Sequence, residues 1–401
     1  MDNENNKENK ENKESRENKE SRVNKENKEN RANKENKENR ANKASEDHTY
    51  NTYNAARGRV RIRDIADELG LSTATVSNVI HGKTKKISDE TVKRVQELLE
   101  KRQYIPSMAG ILLAQNNSRI IGIMINNCEK YEGHVLEDAF IASSLNHLSN
   151  EIERTGHFMM VKVTTQIEDI VKFASMWNLE GMVVIGFCEQ DYKKLRESMH
   201  VPFVIYDGYL ENAETGRICN LTVDHYDGGR QAGAYLKQMG HEKVLCIADN
   251  CICMDWERYL GFCGGFKDEG GEKPDFWQVP MQKIERQIFY QEHLEQLKAY
   301  TAVFAASDYY AIDLMQFLQE RGIGVPEDLS IIGFDDNPIC QQVVPSLTSI
   351  KQDGAERAAL AIEKLRQLKE GEEGSIIKLP VTLVKRNSVR KNEKKYAECI
   401  N

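Results

Sequence analysis

Long apolar runs are missing from this chain of 401 residues. No stretch approaches the roughly 18 consecutive apolar residues that a membrane-spanning helix needs, so we expect no membrane partner. The first residues are polar, which argues against a secretory signal peptide and favours a cytoplasmic protein. The length allows two or three domains with substantial cores.

Paired cysteine motifs are also lacking, although the chain has nine cysteines. Cys251 and Cys253 form the one close pair, and a single C-x-C spacing is a weak metal signal. A metal site and a set of reduced thiols are the two alternatives there. We expect reduced thiols, no metal and no cofactor, as in an ordinary cytoplasmic protein.

Sequence signatures of catalysis are lacking too. There is no nucleophile elbow, no metal-spaced histidine pair and no phosphate-binding Gly-x-Gly-x-x-Gly after an apolar run. Asp224 and His225 are adjacent, but neighbours on a strand point to opposite faces and would form no dyad. The sequence therefore predicts that the protein is not an enzyme.

Residues 57–105 have the pattern of three short helices. Apolar residues recur at helical spacing over 62–69, and Gly70 follows where a helix end favours a left-handed residue. Ser72 can cap a second helix and Ser88 a third. Two short helices joined by a tight turn with glycine form a helix-turn-helix, whose second helix fits the major groove of DNA.

The charge distribution supports DNA as a partner of this segment. Residues 57–104 contain 11 Lys and Arg against 7 Asp and Glu, a net charge of +4. Residues 105–401 contain 31 against 43, a net charge of −12. A basic module attached to an acidic body attracts phosphates locally and discourages binding through the wrong surface.

Residues 1–56 form a separate, repetitive segment. A basic residue recurs at every third position from Lys7 to Lys43, with Asn and Glu filling most of the gaps. Basic and acidic residues number 13 each, and few apolar residues are available to bury. This composition predicts a disordered tail. The alternative is an arm that touches DNA phosphates, which the glutamates would oppose.

From about residue 119 onward, short apolar runs alternate with longer amphipathic segments in two sets. This alternation predicts two doubly wound α/β subdomains with parallel sheets and a ligand cleft beyond the carboxyl ends of the strands. The predicted strands are 120–125, 158–163, 181–185 and 202–206, then 244–248, 302–305 and 330–334. The predicted helices are 137–154, 167–178, 228–239, 256–269, 284–299, 309–321 and 354–368.

Several motifs in this order resemble the lactose-repressor/galactose-repressor (LacI/GalR) family of bacterial transcription regulators. The resemblance implies an all-α helix-turn-helix head and a body of two doubly wound subdomains, similar to type I periplasmic binding proteins. It also implies a homodimer that binds a palindromic operator. The motifs are Arg63-Asp-Ile-Ala-Asp-Glu-Leu-Gly-Leu-Ser, Thr75-Val-Ser-Asn-Val-Ile-His-Gly82, Tyr104-Ile-Pro106, Val223-Asp-His-Tyr-Asp-Gly-Gly229 and Val325-Pro-Glu-Asp-Leu-Ser-Ile-Ile-Gly-Phe-Asp-Asp336.

On this resemblance the domains are a tail at 1–56, the head at 57–105, a hinge helix or linker at 106–118, an effector-binding and dimerisation domain at 119–390, and a tail at 391–401. The two subdomains are expected at 119–219 with 351–379 and at 220–350 with 380–390, so that the chain crosses between them three times.

The resemblance also assigns residues that contact DNA. Thr73, Ala74 and Asn78 match positions that meet base edges, and asparagine pairs best with adenine. Thr75 and Ser77 are expected at phosphates, and His81 at the backbone unless it lies in a solvated loop. Leu113 matches the hinge leucine that wedges between base pairs, with linker packing as the alternative. Ser107 and Gly110 depart from the Asn-x-x-Ala usual in the hinge, which predicts a hinge that is harder to order.

Effector contacts follow from the same resemblance. Asp207, Arg258 and Asp335 match positions that hold ligand hydroxyls, which suits a sugar because each group can engage two hydroxyls. A solvated turn, a structural ion pair and a capping role are their respective alternatives, and Asp336 is the structural neighbour of Asp335. Three further candidates are Ser307, where many members have asparagine, Asn126 at the cleft mouth, and Trp277 as a stacking wall or a core residue.

Two other functions use the same predicted body. A solute-binding protein for a transporter would need export, and the polar N-terminus and the predicted head argue against that. An enzyme acting on a sugar would need catalytic residues, for which the sequence has no candidates. The leading hypothesis is a DNA-binding regulator controlled by a small-molecule effector.

Overall fold

A computed structural model of the chain describes residues 60–105, 118–210 and 218–392. These residues belong to two compact units, a small head and a larger body. The predicted N-terminal tail, the hinge with Leu113, and residues 393–401 lie outside the described residues. Within the described ranges, no helix combines the length and the apolar composition needed to cross a bilayer.

The head has three helices in its described part. Gly70 separates the first two at a φ of 63°, a left-handed value that glycine adopts without steric cost. Ser72 and Ser88 cap the next two helices, each through its side-chain oxygen, as predicted. The core contains Ile65, Ala66, Val76, Val79, Val95 and Leu98. The helices are α1 (Ile62–Leu69), α2 (Thr73–Ile80) and α3 (Asp89–Lys101).

The first subdomain of the body is a parallel sheet with helices on both faces. Its strand order is β11-β5-β4-β3-β1-β2, and separate apolar clusters fill its two faces. The strands are β1 (Ile120–Ile125), β2 (Phe158–Val163), β3 (Gly181–Ile185), β4 (Phe203–Tyr206), β5 (Ile218–Val223) and β11 (Ile376–Leu379). The helices are α4 (Ala139–Arg154), α5 (Ile167–Trp177), α6 (Glu189–Ser198) and α12 (Gly354–Glu370), with short 3-10 turns at Glu129–Tyr131 and Val135–Glu137.

The second subdomain repeats this architecture with the order β12-β10-β9-β8-β6-β7, and its edge strand β12 is antiparallel to β10. The strands are β6 (Val244–Ala248), β7 (Asp275–Gln278), β8 (Ala302–Ala305), β9 (Ser330–Asp335), β10 (Thr348–Gln352) and β12 (Val381–Val384). The helices are α7 (His225–Gln238), α8 (Cys253–Asp268), α9 (Lys283–Glu292), α10 (Leu294–Leu297) and α11 (Asp308–Gln319), with a 3-10 turn at Pro338–Gln341.

The division between the subdomains differs from the predicted one at its first crossing. Strand β5 pairs with β4, with Ile218 opposite Phe203, so all of β5 belongs to the first sheet. The first crossing therefore lies after Val223 rather than at residue 219. The other two crossings join β10 to α12 and β11 to β12.

Sequence periodicity missed three of the four edge strands and the two interior strands beside the crossings. The strands β5, β7, β10, β11 and β12 and the helix α6 were not predicted. Four of these strands have four or five residues, and β7 has exposed residues at both ends, so they lack the continuous apolar run of a central strand. Asp224 and His225 were expected on a strand. Asp224 instead caps α7 and His225 is its first residue.

Helices α7 and α8 approach each other at backbone distance through glycines. A Cβ atom added to Gly229 would lie 1.9 Å from the Arg258 carbonyl oxygen, and one added to Gly261 would lie 1.9 Å from that of Tyr226. Such distances leave no room for any side chain between the two backbones. The glycines therefore set how close α8, with Arg258 on it, lies to the start of α7.

The substitution Gly261→Ala tests this contact. We expect a loss of about 1–3 kcal/mol in the free energy of unfolding, because the added methyl group meets backbone atoms that cannot rotate away. Urea denaturation measures the loss. Gly264→Ala on the same helix is the control: its Cβ would meet only the hydroxyl of the Tyr226 side chain, which can move. An equal loss in both variants would contradict the interpretation.

Candidate DNA-binding surface and ligand cleft

Helix α2 presents a mostly polar, exposed face. The side chains of Thr73, Ala74 and Asn78 are exposed, whereas Val76 and Val79 are buried in the head. Ser72 fixes the start of the helix, since its Oγ accepts a hydrogen bond of 3.1 Å from the backbone N–H of Thr75. The three residues predicted to meet base edges thus share one accessible surface.

The three residues predicted at the DNA backbone are less accessible. Thr75 and Ser77 are half-buried, and the Thr75 hydroxyl lies 2.8 Å from the Ser72 hydroxyl. His81 ends α2, and its Nδ1 lies 2.7 Å from the carbonyl oxygen of Ser77, to which it can donate. Its Nε2 is buried and has no hydrogen-bond partner among the described residues. His81 therefore caps the helix, and its contact with the DNA backbone stays a prediction.

A cleft of about 640 Å³ lies between the two subdomains of the body. Carboxylates line it at the carboxyl ends of strands: Asp207 follows β4, Asp249 follows β6 and Asp335 ends β9. In parallel sheets these ends are where ligands bind. Two of the three were predicted; Asp249 was missed, although its place directly after a buried strand was a usable signal.

Arg258 of α8 connects the wall of the cleft to both subdomains. Its Nε donates to Nδ1 of His225 at 3.1 Å, and its guanidinium stacks 3.8 Å above the ring centre of Phe334. Its Nη2 is 4.0 Å from Asp207 and its Nη1 is 3.7 Å from Asp255. With 6 % of its surface exposed, Arg258 is buried, yet it still lines the cleft.

His225 is neutral in this arrangement. Because Nδ1 accepts from Arg258, the ring proton is on Nε2, which lies 3.3 Å from Oδ1 of Asp207. Burial lowers the pKa of His225, and Arg258 lowers it further, although Asp207 opposes both. Sequence reasoning missed His225 because it was placed on a strand; the spacing of Asp224 and Asp227 was a helix-capping signal.

The charge of Asp207 is held by basic groups from both subdomains. Burial alone would raise the pKa of this carboxyl, but Arg357, His225 and Arg258 hold it well below its ordinary value. Arg357 of α12 lies 3.7 Å away and is itself buried. Asp207 is thus an ionised residue that pairs with arginines of both subdomains as well as a part of the cleft wall.

The two neighbouring aspartates at the end of β9 have different environments. Asp335 lines the cleft, accepts a hydrogen bond of 2.6 Å from Gln352 and has a pKa raised well above its ordinary value by burial. Asp336 instead forms an ion pair of 2.6 Å with Arg386. This placement supports the predicted division into a ligand residue and a structural residue.

Three further candidates have different positions. Ser307 lines the cleft and caps α11, accepting a long hydrogen bond of 3.5 Å from the Tyr310 backbone. Asn126 does not line the cleft, because its side chain donates to the carbonyl of Gly186 at 2.9 Å. Trp277 does not reach the cleft either. Its ring packs in the second subdomain against Phe289, His293 and Tyr300, so the core alternative holds.

Several other cleft residues had no assigned role in the sequence. Asp255 lies in the first turn of α8, and burial with the neighbouring Asp249 raises its pKa to about 7 although Arg258 opposes the shift. Lys130 and Tyr131 enter from the loop after β1. No sequence signal brings this loop to α9 and α11, because the contacts are made across the two subdomains.

The cysteines of the described ranges, including Cys251 and Cys253, are free thiols. Among the same residues no group of three or more His, Cys, Asp or Glu side chains is placed to hold a metal ion.

The substitution Asp207→Asn tests the charge of Asp207 and its pairing with the two arginines. At pH 7 we expect a loss of about 3–5 kcal/mol in the free energy of unfolding, because two buried arginines lose their partner. A carboxyl with a lowered pKa stabilises the fold above its unfolded pKa of about 3.9 and loses this effect as the pH falls. The difference from wild type should therefore shrink below about pH 4.

Chemical denaturation at a series of pH values measures this difference. Asp227→Asn is the control, since Asp227 pairs with Arg230 on the surface, where ion pairs contribute at most about 1 kcal/mol. A loss for Asp207→Asn that does not depend on pH would contradict the assignment.

Comparisons with known families agree with this two-part organisation. Residues 61–107 match the family described as "Bacterial regulatory proteins, lacI family". Residues 234–389 match the family described as "Periplasmic binding protein-like domain". The first match covers the helix-turn-helix, and the second covers most of the second subdomain, two of the three crossings, and α12 and β11 of the first subdomain.

Whole-chain similarities point the same way. The HTH-type transcriptional repressor PurR of Vibrio atlanticus is 26 % identical over 355 residues, covering 82 % of this chain and 98 % of that protein. PurR of Pasteurella multocida is 27 % identical over 348 residues with the same coverage. Transcriptional repressors of this kind are not enzymes.

Solved structures of similar fold include the lac repressor dimer bound to operator and the anti-inducer ONPF, with a TM-score of 0.70, 21 % identity, and coverage of 83 % of this chain and all of that one. A transcriptional regulator CelR–cellobiose complex has a TM-score of 0.58, 21 % identity, and coverage of 82 % and 100 %. The two-subdomain body, the helix-turn-helix and both family matches lead to one conclusion: the chain combines a helix-turn-helix domain of the lacI family with a periplasmic-binding-protein-like domain, and over most of its length it is similar to transcriptional repressors with this organisation.

Proposed function

We propose that this regulator represses transcription by binding a pseudo-palindromic operator as a homodimer, and that a sugar bound in the body cleft controls this binding. One observation carries the proposal: a single chain combines an exposed recognition surface on α2 with a cleft walled by Asp207, Arg258 and Asp335. Such a protein acts on chromosomal DNA, so we place it in the cytoplasm.

The recognition surface is chemically suited to base edges. Asn78 can bond in a bidentate manner to adenine, and Thr73 and Ala74 can contact a thymine methyl group. Half-buried Thr75 and Ser77 are suited to phosphates, which position the helix without reading sequence. One helix-turn-helix reads one half-site, so a two-fold symmetric operator requires two copies of the chain.

The wall of the cleft is chemically suited to a polyol. Carboxylates accept hydrogen bonds from hydroxyls, and the Arg258 guanidinium donates to them in a planar, charge-assisted geometry. Two neighbours of the same fold support the sugar class: one is a CelR–cellobiose complex, and one is a regulator from Alkaliphilus metalliredigens complexed with D-xylulofuranose.

Control of DNA binding follows from the connections between the two subdomains. The chain crosses between the subdomains three times, after Val223, Gln352 and Leu379. A ligand that contacts both subdomains favours one angle between them, and it shifts operator affinity if the two angles differ in how they place the two heads of the dimer.

Selection from random DNA duplexes with the full-length protein tests the proposal. We expect enrichment of a two-fold symmetric sequence, a complex with two chains per duplex by sedimentation, and a change of about 5–150-fold in operator affinity when the correct sugar is added. Failure to enrich any duplex would refute DNA recognition. An enriched duplex that no sugar affects would leave repression standing and refute the effector class.

The substitution Asn78→Ala should weaken binding to the selected operator by about 1–3 kcal/mol and relax the base preference at one position of each half-site. Fluorescence anisotropy with the operator and its single-base variants measures both effects. Gln96→Ala, on the exposed face of α3, is the matched control and should leave affinity and preference unchanged. A uniform loss across all base variants would assign Asn78 to a phosphate instead.

A further inference from the structure

Lys130 extends from the first subdomain into aromatic surroundings that are mostly provided by the second. Its Nζ lies 5.2 Å from the ring centre of Tyr131, 6.0 Å from that of Tyr309 and 5.8 Å from that of Tyr310. Among the described residues, no carboxylate is within 4.0 Å of this ammonium group. The group therefore lies among ring faces, at the outer limit of cation–π distances, without a contact ion pair.

The second subdomain holds these rings in place without help from Lys130. The Tyr310 hydroxyl donates to Oδ2 of Asp249 at 2.6 Å, and the Tyr309 hydroxyl accepts from Arg286 at 3.2 Å. Arg286 is itself fixed by a buried ion pair of 2.7 Å with Asp313. Tyr309, Tyr310 and Asp249 thus form a preassembled cage for a cation, which we call the tyrosine cage.

The charge of the cleft favours a cation over an anion. Nine acidic side chains line it, against three lysines and arginines. Asp249 and Asp255 share the amide of Asn250, at 2.5 and 2.9 Å, and both lie near the ammonium of Lys130. Burial would lower the pKa of Lys130, but Tyr131 and these carboxylates raise it above its ordinary value. The acidic residues that line the cleft outnumber the basic ones even with Lys130 in place.

We propose that the effector bears an ammonium group, as an amino sugar does, and that this group replaces Lys130 Nζ in the tyrosine cage. The proposal rests on the proposed function, since it specifies the ligand of the same cleft. The hydroxyls of such a ligand reach Asp207, Arg258 and Asp335, while its ammonium reaches the cage. Lys130 is then the built-in occupant with which the ligand competes.

Displacement of Lys130 has a structural consequence. The same loop contacts the second subdomain through Glu132, whose carboxylate accepts a hydrogen bond of 2.9 Å from the backbone N–H of Lys283. Lys130 and Glu132 together connect the subdomains across the mouth of the cleft. A ligand ammonium in the cage removes one of these two connections and so couples its binding to the angle between the subdomains.

Chemical rescue tests the cage with a probe that has no stereochemistry. Lys130→Ala removes three methylene carbons and the ammonium, which together correspond to n-propylammonium. We expect n-propylammonium chloride to raise the unfolding temperature of this variant about 2–4 °C more than sodium chloride or 1-propanol at equal concentration. Wild type should respond equally to both salts, because its own lysine fills the cage.

Two matched variants separate the cage from general salt effects. Lys130→Met keeps a side chain of similar length pointing to the tyrosine cage and should not respond to n-propylammonium. Lys283→Ala removes an exposed cleft lysine outside the cage and should also not respond. If Lys130→Ala gains no more than these variants, the proposal is overturned. Should that variant not fold alone, refolding from urea in either chloride salt makes the same comparison.

Calorimetry with D-glucosamine, D-glucose and D-glucuronate compares a cationic, a neutral and an anionic ligand on the same ring. We expect wild type to bind the amine at least about 10-fold tighter than the neutral sugar, and Lys130→Met to tighten the amine further. Preferential binding of the acid, weakened by Lys130→Met, would overturn the proposal and assign Lys130 as an anion-binding residue.

Operator binding by the same Lys130→Ala sample separates the two proposals. If n-propylammonium stabilises this variant but the variant binds no duplex, the cage is supported and the regulatory function is refuted. Operator binding without rescue refutes the cage alone.

Discussion

The buried guanidinium of Arg258 is the group on which the geometry of the body depends. A buried charge is tolerated only when nearly all of its donors have partners. For Arg258 these partners are His225, the carboxylates of Asp207 and Asp255, and the Ala306 carbonyl, which accepts from Nη1. Because Asp207 belongs to the first subdomain and the others to the second, pairing this one charge links the two halves of the cleft.

Close backbone packing makes that arrangement possible. Glycines at the contact of α7 and α8 let the two helices approach until carbonyl oxygens lie where a Cβ would be. This approach places Arg258 beside the first residue of α7, His225. A larger residue at Gly229 or Gly261 would move the guanidinium away from its partners. The electrostatics of the cleft therefore depend on a steric feature one helix turn away.

The head and the cleft both bind through polar side chains, but these are exposed in the head and buried in the cleft. In the head, polar side chains remain exposed on α2 so that they can exchange water for base edges. In the body, charged side chains are buried and paired with one another, and a ligand must offer equivalent partners to replace them. The excess of carboxylates and the lysine among the tyrosines restrict which ligands can do so.

Sequence periodicity was sufficient for the elements with long, continuous patterns. The three head helices, most of the central strands of both sheets and most of the long helices were predicted within a few residues, because each buries a face that repeats along the chain. The exception among the helices is the predicted 284–299, which is two helices, α9 and α10. Three of the four edge strands, and the interior strands β5 and β10 beside the crossings, were not predicted. Pairing with the neighbouring strands stabilises their extended conformation, so their own sequences need only a weak apolar pattern.

The same limit applies to the site. Asp207, Arg258 and Asp335 were proposed from sequence through the family resemblance, and the two carboxylates also lie at the carboxyl ends of buried strands, where a parallel sheet binds ligands. The sequence by itself therefore determined the head, the two-subdomain body and the edge of each sheet where a ligand binds, since these depend on local propensity and burial. Only the tertiary structure decided that His225 pairs with Arg258, that Trp277 is a core residue, and that Lys130 enters the tyrosines of the other subdomain. These contacts join residues far apart in the chain, and no local pattern encodes such a distance.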